Sequence, residues 1–175
     1  GVYGRLRTLV KIEDGYEKAI EAAASGWLDS IVVQDLKTAL ICTETLRRLR
    51  LGRIKMIPLR ELSDIKPVRP PKIEGGDGAA YQHVKFRKTF EPAIIFVLGD
   101  TIIVKEDKIA IEASRRGYRA VTIEGDLYEV GGGIESGYYR KPIDLSALIP
   151  SDSAIKSLDE AVRKLREILS FSENV

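Results

Sequence analysis

The sequence predicts an α+β fold: two small mixed α/β subdomains joined by a linker, followed by the start of a coiled-coil helix. Three observations carry this reading. A pattern of helix, Gly, strand, Asp, helix, Gly, strand occurs twice, a Pro- and Gly-rich stretch separates the two copies, and a heptad texture follows residue 150. The boundaries fall at 1–65 for the first subdomain, 66–80 for the linker, 81–150 for the second subdomain and 151–175 for the terminal helix. Any α/β chain alternates in this way, so the repetition by itself is equally compatible with an unrelated pair of α/β units.

The elements follow from local signals. DGYEKAIEAAAS (14–25) reads as a helix, with Asp14 and Glu17 spaced as an N-cap and its N3 partner and Gly26 as the stop. SIVVQ (30–34) reads as a buried strand, and Asp35 caps a second helix, LKTALICTETLRRLRL (36–51), that ends at Gly52. IKMIPL (54–59) is the next strand. In the second copy FEPAIIFVL (90–98) is a helix with Pro92 in its first turn, stopped by Gly99. TIIVKE (101–106) is a strand, Asp107 a cap, KIAIEASRR (108–116) a helix, Gly117 its stop, and YRAVTIE (118–124) a strand. Between the copies IKPVRPPKIEGGDGAA (65–80) has linker composition, and QHVKFRKTF (82–90) reads as an extended or partly helical connector. A hairpin turning at Gly125-Asp126 leads into Gly131, Gly132, Gly133 and Gly137. Finally Ile155, Leu158, Val162, Leu165 and Leu169 alternate steps of three and four, a coiled-coil seam expected to be exposed or packed opportunistically without its partner helix.

Composition narrows the function classes. A single cysteine, Cys42, forms no internal disulfide and points to a reducing compartment. The chain holds no run of about 18–20 apolar residues and opens on no signal peptide, so neither a membrane partner nor export is expected. Its opening at Gly1 instead of Met is expected of a piece of a longer chain. Abundant charge with a lone asparagine, Asn174, and two glutamines, Gln34 and Gln82, fits a thermophile. The net charge of +2 does not announce a nucleic-acid binder, yet Arg47, Arg48, Arg50, Arg53, Lys55 and Arg60 cluster, as do Lys85, Arg87 and Lys88. Those groups suit DNA phosphates or the solvated face of a charged helix equally.

Catalytic chemistry finds little material. The glycine cluster lacks the Gly-x-x-x-x-Gly-Lys-Ser/Thr string of a phosphate loop, and its spacing is wrong for a dinucleotide fingerprint. His83, the lone histidine, reads as a solvated surface residue, and neither a metal cluster nor a histidine triad can be assembled around it. Cys42 lies on the apolar side of its helix with Ala39, Leu46 and Leu49 and reads as a buried thiol. Asp35 reads as a cap and not a phosphoacceptor. No catalytic residue and no cofactor or metal ligand is therefore assigned.

Taken in order, the opening GVYGRLRTLVKI, YEKAIEAA, SIVV, GRIKMIPL and above all RAVTIEGDLYEVGGGIESGYYR resemble the hinge domain of SMC (structural maintenance of chromosomes) proteins. The resemblance covers nearly the whole chain. In one departure Ser136 precedes a single Gly137 where the family commonly closes on paired glycines.

The resemblance implies a non-catalytic dimerisation hinge of prokaryotic, archaeal type within a cytoplasmic, nucleoid-associated ATPase. ATP and Mg would belong to distant head domains, with no cofactor in this stretch. Two copies would form a toroidal homodimer through two equivalent contacts, with Gly131, Gly132, Gly133 and Gly137 at the interface, where backbones without side chains approach closely. Weak, non-specific DNA contact would fall to the basic residues, and the heptads to the returning coiled coil. Two other readings stand beside it: a stand-alone basic DNA-binding module, and a small-ligand α/β enzyme.

Overall fold

A computed structural model describes residues 1–67, 69, 72–137, 156 and 159–164. The chain opens with β1 (Val2–Arg5), a helical turn α1 (Leu6–Leu9) and β2 (Val10–Ile12), followed by α2 (Glu17–Ala24), β3 (Ile31–Val33), α3 (Leu36–Arg48) and β4 (Met56–Pro58). After β5 (Gly76–Ala79) and β6 (Val84–Phe86) come α4 (Glu91–Leu98), β7 (Thr101–Val104), α5 (Asp107–Arg115), β8 (Arg119–Thr122), β9 (Leu127–Tyr128) and β10 (Ile134–Glu135). Short 3-10 turns flank β6 at Ala80–His83 and Lys88–Phe90.

The repeated sequence pattern becomes two βαβ units. In one, β3 and β4 run parallel on either side of α3 in a sheet ordered β1-β3-β4. In the other, β7 and β8 run parallel around α5 in a sheet ordered β10-β9-β8-β7-β5. Period-two alternation decides which neighbour each strand residue meets. Ile31 and Val33 pack with Ala39, Cys42 and Leu46 of α3, and Ile102, Val104 and Ala120 pack with Ala110 and Ala113 of α5. Their strand neighbours Val32, Ile57, Ile103 and Val121 point the other way. There they share one core with Ile20 and Ala23 of α2 and Ile94 and Leu98 of α4. The layers therefore run α3, sheet, α2 with α4, sheet, α5. Burial on both faces accounts for the apolar runs SIVV and TIIV.

The halves also exchange strands and side chains. β2 pairs with β6 across about seventy residues of chain, Val10 opposite Phe86 and Ile12 opposite Val84. Gly76–Ala79, inside the segment expected to be linker, adds an antiparallel edge strand to β7.

Several element ends differ from expectation for local reasons. α3 stops at Arg48, not near Gly52, because Leu51 N–H donates to Leu46 O (2.9 Å) and Arg50 N–H to Arg47 O (3.1 Å). That is a Schellman ending, and Arg50 (φ 52°) takes its left-handed position. α2 begins at Glu17 with Tyr16 at the cap, and Ser25 (φ 48°) precedes Gly26 in the left-handed region. Asp107 is the first helical residue of α5 and not its cap, which is Glu106; the Asp107 carboxylate instead accepts from Tyr128 Oη (3.0 Å). Asp35 does cap α3, accepting from Thr38 N–H at 2.8 Å and Thr38 Oγ1 at 2.6 Å. Cys42 is buried as expected.

Candidate functional site

The glycine cluster forms the turn between β9 and β10. Ile134 lies opposite Tyr128 and Glu135 opposite Leu127. The turn closes through Glu129 N–H to Gly133 O (2.8 Å) and Gly132 N–H to Glu129 O (3.1 Å). Gly131 (φ 93°) and Gly132 (φ 102°) occupy a backbone region that a side chain rarely adopts, so the turn itself requires glycine there. Gly133 has no such constraint, and a Cβ on it would make an ordinary 3.7 Å contact with Glu129 Cβ. A Cβ on Gly131, Gly132 or Gly137 would meet open space.

β10 is the outer strand of its sheet among the described residues, and Val130 (57 % exposed) and Ile134 (60 %) stand out beside it. β4 is likewise the outer strand of the three-stranded sheet, preceded by exposed Leu49, Leu51 and Ile54. Among the described residues, β10 and β4 are thus strand edges bordered by apolar side chains exposed to solvent. The far edge, β1, is met by the terminal helix: Asp159 Oδ1 accepts from Val2 N–H at 3.3 Å. On that helix Val162 is buried (2 %) with Ile31, Val33 and the apolar face of α3. Ile155, Leu158, Leu165 and Leu169 lie outside the described residues.

Glu129, at the base of the glycine turn, has every polar group engaged. Its carbonyl also accepts from Ser114 Oγ at 2.6 Å, and its carboxylate accepts from Arg119 Nε at 3.0 and 3.2 Å. The Arg119 side chain is only 12 % exposed and reaches further, donating to Thr101 Oγ1 (2.9 Å), Ala23 O (2.6 Å) and Ser25 Oγ (2.7 Å). Sequence reasoning passed over Arg119 and Glu129. Their alternation on a strand and its hairpin carries no signal of a contact with α2, ninety residues away in the chain.

The basic residues divide between elements. Arg47 and Arg48 end α3, Arg50 and Arg53 follow it, Lys85 lies on β6 and Arg87 and Lys88 just after; all are exposed. None has an ion-pair partner among the described residues. The β2–β6 register sets exposed Lys11 directly opposite Lys85, a like-charge pair that opposes the pairing. Lys11 was not singled out in the sequence, because only the strand register brings it to Lys85.

His83 is not the solvated residue its polar neighbours suggest. Its ring stacks on Tyr16 (centroids 3.9 Å apart, 17° between planes), with Nδ1 3.0 Å from Glu13 Oε2 and Nε2 2.7 Å from Asp77 O. Tyr16 Oη donates to Asp77 Oδ2 at 2.6 Å, and that bond, reinforced by burial, pushes the phenol up to about 12. Among the described residues no three His, Cys, Asp or Glu side chains are grouped to hold a metal ion, and no helix is long and apolar enough to cross a membrane.

Comparison with known proteins gives this arrangement a family. Residues 1–114 match the model described as SMC proteins Flexible Hinge Domain. The chromosome partition protein Smc of Aquifex aeolicus is 33 % identical over 182 residues, covering 96 % of this chain and 16 % of that protein. The Smc of Pyrococcus furiosus is 34 % identical over 142 residues, covering 80 % of this chain and 12 % of its own length. The chain therefore spans about a sixth or less of these relatives. Among solved structures, the Geobacillus stearothermophilus SMC hinge domain, an asymmetric dimer, superposes with a TM-score of 0.72 at 28 % identity, over 97 % of this chain and 76 % of that one. The Pyrococcus furiosus hinge with an extended coiled coil gives 0.70 at 32 % identity, over 98 % and 63 %.

Proposed function

This chain belongs to the family of SMC flexible hinge domains, and from that premise we propose that it is the dimerisation hinge of a chromosome-partitioning SMC protein. The observation that carries the proposal is the pair of strand edges, β10 with Val130 and Ile134, and β4 with Leu49, Leu51 and Ile54. Unpaired edges bordered by apolar side chains are templates for another chain. Edge β10 of one protomer against edge β4 of its partner makes a contact between unlike surfaces, and two-fold symmetry makes it twice, closing a ring. Gly131, Gly132 and Gly133 serve this by turning the chain into β10 without side chains in the way, and Gly137 by leaving its outer flank open. The hinge works without catalysis or a cofactor of its own. ATP hydrolysis belongs to head domains elsewhere in the long chain, which the terminal helix joins through a coiled coil.

Sedimentation tests the edges directly. The wild type is expected to be a dimer, and Ile134→Asp or Leu51→Asp a folded monomer, because each substitution puts an unpaired carboxylate into both symmetric contacts. Dimers surviving both changes would place the interface elsewhere.

DNA contact is a second reading, favoured by the Lys11–Lys85 pair. Two like charges held opposite one another cost stability, and bound phosphate would offset that cost. Charge reversal at Arg47, Arg48, Lys85 and Arg87 is expected to weaken binding to duplex DNA and flatten its salt dependence, each lost phosphate contact removing about 0.9 from the slope. Affinity and slope unchanged by reversal would leave these residues as a solvated surface.

A further inference from the structure

We propose that Arg119 couples the two pairing edges of each protomer through a polar chain that runs Glu129, Arg119, Ser25, Lys55. The inference rests on the reading of β10 and β4 as dimer edges. At one end Glu129 closes the glycine turn that leads into β10. At the other, Lys55 immediately precedes β4. Its backbone carbonyl accepts from Ile31 N–H (2.9 Å), and its ammonium donates to Ser25 O (3.0 Å) while lying over the Trp27 ring, 4.8 Å from the centroid. Between them stands one guanidinium that bonds Glu129 on its Nε side and Ala23 O and Ser25 Oγ through Nη1 and Nη2.

The chemistry of arginine makes this a coupling and not a string of separate bonds. The guanidinium is a rigid planar fork with five donors, so rotating it to follow Glu129 withdraws the donors that face α2. Its side chain is only 12 % exposed and its bonds to Ala23 O and Thr101 Oγ1 are partly buried, so withdrawing those donors leaves sheltered polar groups unpaired, which is costly. Ser25 is the second rigid link. It sits in the left-handed region at φ 48°, a conformation that persists when surrounding contacts over-determine it. Arg119 holds its hydroxyl, and Lys55 holds its carbonyl. A shift at the glycine turn thereby reaches the first residue before β4, and a shift at β4 reaches the turn. In a closed ring each protomer uses both edges at once, so the two contacts tighten and loosen together.

Amide hydrogen exchange and sedimentation of the same samples test this. Arg119→Gln is expected to weaken dimerisation about tenfold, within the usual range of coupling between sites. It should speed exchange at the Glu129 and Gly132 amides and also at Ile31 and Leu59, whose N–H groups bond Lys55 O and Val33 O at the two ends of the β3–β4 pairing, with Ile103 in β7 unchanged. Lys55→Met should speed Gly132 as well as Ile31. The same comparison in a Gly133→Glu background reads the coupling inside a monomer. If that background remains dimeric, the edge assignment fails while the exchange result still decides the coupling. Should Arg119→Gln not fold, Arg119→Lys, which keeps the charge but not the fork, is read in the same way. Faster exchange at one edge alone, or evenly through Ile103 as well, would overturn the proposal.

Discussion

Arg50 holds the left-handed position that ends α3, where a side chain costs roughly 1–2 kcal/mol that glycine avoids. Arg50→Gly is therefore expected to raise stability by about 0.5–1 kcal/mol, read as an increased denaturation midpoint. If the basic cluster contacts DNA, the same change lowers DNA affinity, so the strain would be retained for function. Tyr16 gives a second residue-scale prediction, in pH. Its phenol is raised from 10 to about 12 because Oη donates to Asp77 and the ring is sheltered. A raised pKa means the fold favours the protonated form. That stabilisation is complete below pH 10 and disappears as the pH climbs to about 12. Tyr16→Phe should be less stable than wild type at neutral pH and lose less between pH 10 and 12. Parallel alkaline profiles for the two proteins would remove Asp77 as the cause.

At the scale of elements, the β9–β10 turn separates two roles for glycine that look identical in the string Gly131-Gly132-Gly133. Gly132 at φ 102° is needed for the turn, whereas Gly133 is conformationally ordinary. Gly132→Ala is expected to destabilise by about 1 kcal/mol in denaturant titration, and Gly133→Ala to stay within about 0.5 kcal/mol. Equal effects at the two positions would show that the turn does not set the requirement. The terminal helix makes a related point. Val162 belongs to the heptad seam in sequence, yet it is buried beside Ile31 and Val33 and α3. This packing holds the described residues 159–164 beside β1, where Asp159 accepts from the Val2 backbone N–H.

For the whole molecule, the central layer of α2 and α4 decides the cooperativity. Ile57 from one sheet and Ile103 from the other contribute to a single core. Ile57→Ala and Ile103→Ala should each cost about 2–5 kcal/mol and lower one common calorimetric transition instead of splitting it. Two separable transitions would mean that each half folds on its own core. With a shared core, neither half is expected to unfold without exposing the helices that the other half covers.

The sequence alone determined the element plan, and it did so through local chemistry. Asp35 capping α3, Pro92 in the first turn of α4 and the apolar strands SIVV and TIIV are signals confined to a few neighbouring residues. The repeated pattern of those signals is what the structure builds as two βαβ units, and the family resemblance rests on the same strings. Tertiary structure decided what depends on contacts between distant segments. β2 pairs with β6, β5 arises from presumed linker, Lys11 faces Lys85, and His83 is drawn into a stack with Tyr16. Arg119 meeting Ser25 and Glu129 is of the same kind. A side chain's reach and its neighbours' periodicity are written locally, but which partner lies within that reach is set only when the sheets close over α2 and α4.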